Sequence, residues 1–265
     1  MAKVITITSG KGGVGKTTST ANLGTALAML GKKVIVVDAD IGLRNLDVVL
    51  GLENRIVYDL VDVIEGNCRL RQALIKDKQN GELYLLPAAQ TKDKDAVSQD
   101  EMVELVDQLR SEADYVIIDS PAGIESGFKN AIAGADDIII VTTPEVSAVR
   151  DADRIIGLCE AAGKGHPRLI INRLRPKMVR SGEMMSVEDL LQILAIDLIG
   201  IIPDDEAVIT ATNRGEVLVL DKNSKTGKYY MDIARRITGE SIKIDPIEDN
   251  PSLMERLSGM FQGKR

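Results

Sequence analysis

Tryptophan is absent and phenylalanine occurs only twice, so aromatics make up 3% of the 265 residues. A core must then be built from Val, Ile, Leu and Ala, which suits a parallel sheet buried on both faces. Cysteine is scarce: Cys68 and Cys159 lie far apart without C-x-x-C spacing. That argues against a structural disulfide or a cysteine-held cluster, and for a reducing cytoplasm. His166 is the single histidine, which excludes histidine-based triads and multi-histidine zinc sites within one chain. No stretch approaches the roughly 20 apolar residues of a membrane-spanning helix. The N-terminus lacks the basic region and long apolar run of a signal peptide. An excess of basic charge is missing too. The net charge of −7 argues against a nucleic-acid surface over the whole protein, so no nucleic-acid partner is expected.

What is present begins with Gly10-Lys11-Gly12-Gly13-Val14-Gly15-Lys16-Thr17-Thr18. It follows the apolar run of residues 4–8 and precedes a helical pattern. The spacing is that of a phosphate-binding P-loop. Gly-rich backbone curls so that successive N–H groups point at phosphate oxygens, and the next helix adds its positive end. In such a loop Lys16 reaches the β- and γ-phosphates, and the Thr17 hydroxyl ligates Mg²⁺. The loop therefore predicts ATP and Mg²⁺ as ligands.

Strand and helix patterns alternate along the chain. Short apolar runs at 34–37, 83–86, 115–118, 138–141, 169–171 and 198–202 read as buried strands. Helical patterns fall at 17–30, 98–112, 125–133, 147–161, 186–195 and 225–237. The first of these places Leu23, Leu27 and Leu30 on one face and stops at Gly31. The alternation predicts an α/β fold, a doubly wound, mostly parallel sheet with helices on both faces. Strand C-terminal ends and the P-loop should share one edge.

Two of these strands end in aspartates, at Asp38-Ala39-Asp40 and Asp119-Ser120-Pro121. A buried strand that closes on a carboxylate fixes it near Mg²⁺ or its waters. Asp119 is assigned to the metal shell with Thr17. Asp38 supports the adjoining loop and contributes to the metal site partly through water, and Asp40 positions the attacking water. Gly123 gives the second switch a point that can move when the γ-phosphate leaves.

The extra lysine inside the loop, Lys11, makes the motif resemble the deviant Walker A group of P-loop ATPases. In that group the first lysine reaches across an ATP-held dimer to the partner's nucleotide, which implies that Lys11 joins Lys16, Asp40 and Asp119 in catalysis. A narrower resemblance rests on Gly42-Leu43-Arg44-Asn45-Leu46-Asp47 after Asp38-Ala39-Asp40-Ile41, with Gly51-Leu52-Glu53 and Tyr58-Asp59. Together these resemble the MinD family of division-site ATPases, over essentially the whole chain. The resemblance implies that Asp40 and Asn45 lie on the first switch. It implies that Asn172 and Arg173 read the adenine and that Pro203 and Asp204 lie near the base. It also implies that the helix with Arg150, Asp151 and Asp153 receives a MinC-like inhibitor and a MinE-like activator. A ParA-type DNA-partition ATPase, an iron–sulfur carrier and a flagellar-number regulator are the rival readings. The acidic balance speaks against the first and the cysteine spacing against the second. Only the Gly42-to-Asp47 stretch favours the MinD family over the third, and partner binding would decide between them.

Residues 1–240 read as the ATPase domain, 241–250 as a linker and 251–265 as an amphipathic helix. Leu253, Met254, Leu257, Met260 and Phe261 fall on an arc of roughly 120° at helical spacing, with Lys264 and Arg265 following. Such a stripe fits an interfacial helix on an anionic membrane. A helix docked on its own domain shows the same stripe. The charged, Pro-containing linker and the family resemblance favour the membrane, hence a protein that is cytoplasmic and peripheral on the inner membrane face.

Overall fold

The computed structural model describes residues 1–79, 81–93 and 95–247. Eight strands form one sheet: β1 Lys3–Thr8, β2 Val34–Asp38, β3 Ile75–Lys76, β4 Leu83–Leu86, β5 Tyr115–Asp119, β6 Asp137–Thr142, β7 Arg168–Leu174 and β8 Asp197–Pro203. Their order is β3-β4-β2-β5-β1-β6-β7-β8. Every pairing is parallel except that of β3 with β4. The α-helices are α1 Lys16–Met29, α2 Leu46–Val49, α3 Leu60–Ile64, α4 Leu70–Ala73, α5 Gln99–Arg110, α6 Ser126–Ala133, α7 Val146–Ala161, α8 Pro176–Arg180, α9 Val187–Leu194, α10 Glu206–Asn213 and α11 Lys225–Ile237. The doubly wound α/β fold expected from the alternation is the fold observed.

Strand parity divides the core. Ile5, Ile7, Val34, Val36 and Ile117 face α1 and α11, while Val4, Ile35, Val37, Val116 and Ile118 face α3 and α5. A third cluster packs Ile138, Ile140, Leu169 and Ile171 against α7 and α9. Burying alternate residues on both faces is why these strands read as unbroken apolar runs. Helices α3, α5 and α9 start from reciprocal side-chain caps, Asp59 with Asp62, Ser98 with Glu101 and Ser186 with Asp189, each satisfying two end N–H groups.

Three expectations need correction. The first helix is buried on almost every side, including Ser19, Thr20, Asn22 and Thr25. Its small residues let the sheet approach one side and α11 the other. The antiparallel edge strand β3 and the short helices α2, α3, α4, α8 and α10 were not expected. β3 has two residues and α2, α3, α4 and α8 have four or five, too few for a helical period or an apolar run to show. Finally, the stretch from 241 is not detached from the domain through residue 247. Arg236 donates to the carbonyls of Ile242 at 2.9 Å, Lys243 at 2.7 Å and Ile199 at 3.1 Å. Ile244 and Ile247 pack against the third cluster. The tail expected over 251–265, with Leu253, Met254, Leu257, Met260 and Phe261, lies outside the described residues. Among the described residues, no helix is long and apolar enough to cross a membrane.

Candidate functional site

Parallel pairing assembles the site. Ile7 of β1 stands opposite Asp119 of β5, and Asp119 stands opposite Asp38 of β2. Two carboxylates thus lie side by side at the strand ends, beside the loop that leaves β1 and enters α1. Lys16, the first residue of α1, places Nζ 3.0 Å from Asp119 Oδ1, and the Thr20 hydroxyl donates to the same oxygen at 3.0 Å. The Lys16–Asp119 pair is buried, its side chains 8% and 2% exposed. A charge pair at that depth is screened little by solvent.

Asp38 does a different job from Asp119. Its Oδ1 accepts from the Asp40 N–H at 3.0 Å, and its Oδ2 from the Asn45 and Leu46 N–H groups, each at 3.0 Å. One carboxylate therefore holds the whole loop from Asp40 to the start of α2. Burial, with the Asp119 charge second, pushes its pKa up to about 7, against the pull of those three donors. Arg44 on the same loop has a left-handed backbone, φ 43°, and its Nε sits 3.0 Å from Asp47 Oδ2.

The loop itself is held by close packing. A side chain at Gly10 would meet the Asp151 carbonyl carbon and oxygen at 2.5 Å, so the loop rests on the backbone of α7. Gly15 caps α1 at φ 94°, and a Cβ there would overlap the Asn172 amide nitrogen. Gly15→Ala is expected to destabilise the protein by about 1–3 kcal/mol from backbone strain alone. The overlap with Asn172 adds to that. A lowered Tm with weakened ATP binding is the predicted result; an unchanged Tm would contradict this account of the loop.

At the other end of the loop, Asn172 donates from Nδ2 to the Val14 carbonyl at 2.7 Å. The register of β7 against β8 shifts between Ile171 and Leu174, and Arg173 adopts φ 57°. Irregularities of this kind re-aim side chains next to functional sites. A cleft of about 270 Å³ follows, where Gly15 and Thr18 of the phosphate loop meet Asn172, Arg173, Pro203 and Asp204. A planar, partly polar ligand with a phosphate on one side fits this shape. The Asn172 carboxamide and the Asp204 carboxylate supply a donor and acceptors at its wall.

The sequence profile of the CobQ/CobB/MinD/ParA nucleotide binding domain matches residues 5–219. The septum site-determining protein MinD of Bacillus subtilis (strain 168) is 56% identical over 264 residues, covering 98% of each chain. The chain belongs to the MinD family. Among solved structures, MinD in the MinC:MinD cell division protein complex of Aquifex aeolicus superposes with TM-score 0.87 at 51% identity, covering 93% of this chain and 100% of that one. MinD of Pyrococcus horikoshii OT3, complexed with Mg-ADP, superposes with TM-score 0.81 at 31% identity, over 89% and 96% of the two chains.

Against this MinD-family frame, the anticipated site residues fall into groups. Gly10, Gly12, Gly13, Val14, Gly15, Lys16, Thr17 and Thr18 form the loop and helix start. Lys16 and Asp119 meet, and Asn172, Arg173, Pro203 and Asp204 gather in the cleft. Asp40 lines a separate cavity of about 130 Å³ between the first switch and residues 121–128. Asn45 is exposed at the start of α2 and does not line the base cleft. Lys11 is exposed and rests on its own chain, Nζ 3.2 Å from Ser147 Oγ and 3.5 Å from Glu145 Oε2. On α7, Arg150 and Asp153 are exposed, but Asp151 is half-buried under Gly10. Only the first two face outward freely, because α7 must meet the phosphate loop at Asp151.

Six cleft residues escaped the sequence reading: Arg175, Asp205, Glu206, Val208, Ile209 and Tyr230. Tyr230 is fully buried on α11, its hydroxyl 3.3 Å from Ser19 Oγ, which in turn donates to the Gly15 carbonyl at 2.9 Å. Burial pushes the Tyr230 phenol up to about 12, so it stays a neutral donor. Nothing local to residues 225–237 signals this role; only the packing of α11 on α1 creates it.

Proposed function

We propose that this chain is the ATP-hydrolysing switch of a division-site placement (Min) system, working as an ATP-held dimer on the membrane. The observation that carries the reading is the buried Lys16–Asp119 pair beside Asp38, at the joint between the phosphate loop and the base cleft.

The residues present fit a divalent cation: Thr17 hydroxyl and Asp119 carboxylate oxygens are the hard donors Mg²⁺ takes. Asp38, whose oxygens already accept three backbone N–H bonds, contributes through water. Bound there, Mg²⁺ would neutralise charge on the transferring phosphoryl group. The chain's own residues do the rest. Backbone N–H groups of residues 10–16 cradle the phosphates. Lys16 releases Asp119 to face the β- and γ-phosphate oxygens, and Asp40 orients the attacking water. That water attacks the γ-phosphorus, the bond to the bridging oxygen breaks, and ADP and phosphate leave.

Lys11 acts in trans. Its exposed ion pair with Glu145 is worth at most ~1 kcal/mol, so exchanging that contact for the partner's nucleotide is cheap. Stabilisation of developing charge by a cation supplied in trans is the logic of an arginine finger. The exposed Arg150 and Asp153 face of α7 receives the inhibitor and the activator. The apolar residues and the terminal cations of segment 251–265 bind the anionic membrane.

The test is Lys11→Ala. ATP binding should persist, while dimerisation by light scattering is lost. Turnover stimulated by activator and vesicles should fall about 10³-fold. Stimulated turnover equal to wild type would remove the trans role.

A further inference from the structure

We infer that Arg175 and Asp204 form a removable partition at the end of the base cleft, and that this pair limits how much bulk the amino edge of a bound purine can carry. The inference rests on the adenine-nucleotide reading above and names a determinant of its specificity.

Arg175 sets both Nε and Nη2 2.6 Å from Asp204 Oδ2. The Asp204 N–H donates to the Leu174 carbonyl at 3.0 Å, so the carboxylate is fixed where the ends of β7 and β8 meet. Both guanidinium contacts fall on one oxygen, Oδ2, and a carboxylate's second oxygen can accept from an exocyclic amine. Charge-assisted bonds of this length make a firm wall.

Behind the wall lies more space. A second cleft of about 680 Å³ adjoins the base cleft of about 270 Å³, and Arg173 and Arg175 line both. Met178, Met184 and Met185 line the larger cleft. Two of these sulfurs touch Arg175: Met184 Sδ lies 3.4 Å from its backbone N–H and Met178 Sδ 3.8 Å from Nη1. Methionine side chains re-pack around an apolar group more readily than branched ones. Shortening Arg175 therefore joins the two clefts and opens a partly methionine-lined annex to a substituent on the amino group. The pair is partly solvated, 56% and 31% exposed. Its loss removes a wall rather than the fold, since solvated pairs add little to stability.

The experiment measures the affinities of ATP and N6-benzyl-ATP by calorimetry with Mg²⁺, on the full chain as wild type, Arg175→Ala and Arg175→Lys. Wild type should favour ATP. In Arg175→Ala the ratio of the two dissociation constants should move about tenfold or more toward the bulky analogue. Arg175→Lys, which keeps the charge but not the fork, should fall between. The ratio cancels any general weakening of the site, so a merely structural role for Arg175 would leave it in place. An identical ratio in wild type and Arg175→Ala overturns the partition, as does a wild type that binds both nucleotides equally. A wild type that binds neither overturns the nucleotide reading, and the partition falls with it.

Discussion

Replacing Lys16 with alanine is expected to lower ATP turnover about 10²–10³-fold, the usual loss when one preorganised donor to a developing charge is removed. The physical reason lies in where Lys16 stands. Its Nζ is buried and 3.0 Å from Asp119, so it acts in a medium where a charge is worth far more than in water. In wild type, this cation pairs with Asp119, which stands beside Asp38 in the sheet. Without it Asp119 is buried without its cationic partner, and the site repels the phosphates that it should hold. Phosphate release at saturating ATP measures the effect. Turnover close to wild type in Lys16→Ala would show that the charge stabilisation comes from elsewhere.

Truncation before Pro251 is expected to abolish ATP-dependent pelleting with anionic vesicles while leaving ATP binding intact. Leu253, Met254, Leu257, Met260 and Phe261 each add at most ~1.5–3 kcal/mol on full burial, and a partly immersed helix realises only a fraction. One tail therefore binds weakly. Two tails on one ATP-held dimer act at a shared effective concentration, which raises avidity ~10²–10⁴-fold. At ATP concentrations that saturate wild type but not the variant, Lys16→Ala should lose pelleting, because a protein that holds ATP weakly presents mostly single tails. Pelleting that is equal with ATP and ADP would break the link between nucleotide and membrane. Pelleting that survives truncation would place the membrane contact on the domain itself.

The long elements were legible because their patterns are local and physical. A run such as residues 34–37 has no polar face, so it belongs inside a sheet covered twice. The glycines and lysines of the phosphate loop are legible for a similar reason: few backbones curl around phosphate, and they need these residue types in this order. The short pieces were not legible. β3 has two residues and exists because Ile75 and Lys76 find Leu85 and Tyr84 across an antiparallel edge. α3 is five residues long and starts at a reciprocal cap between Asp59 and Asp62, a signal present in the sequence but attached to no periodic run.

Within the site the division runs along the same line. The chain by itself determined the phosphate loop and the two strand-end aspartates, and its family resemblance pointed to Asn172, Arg173, Pro203 and Asp204. Each is a short motif whose chemistry is carried by neighbours in sequence. Only the tertiary structure decided which partner each group meets. Register across β1, β5 and β2 made Asp119 the ligand of Lys16 and left Asp38 to hold the switch loop. The seating of α7 on Gly10 turned Asp151 inward and left Arg150 and Asp153 outside. The packing of α11 on α1 brought Tyr230 to the base cleft, and the meeting of β7 with β8 paired Arg175 with Asp204. Such contacts join residues up to 211 positions apart. No local preference encodes them, because their energy exists only once the sheet has brought both partners into one low-dielectric place.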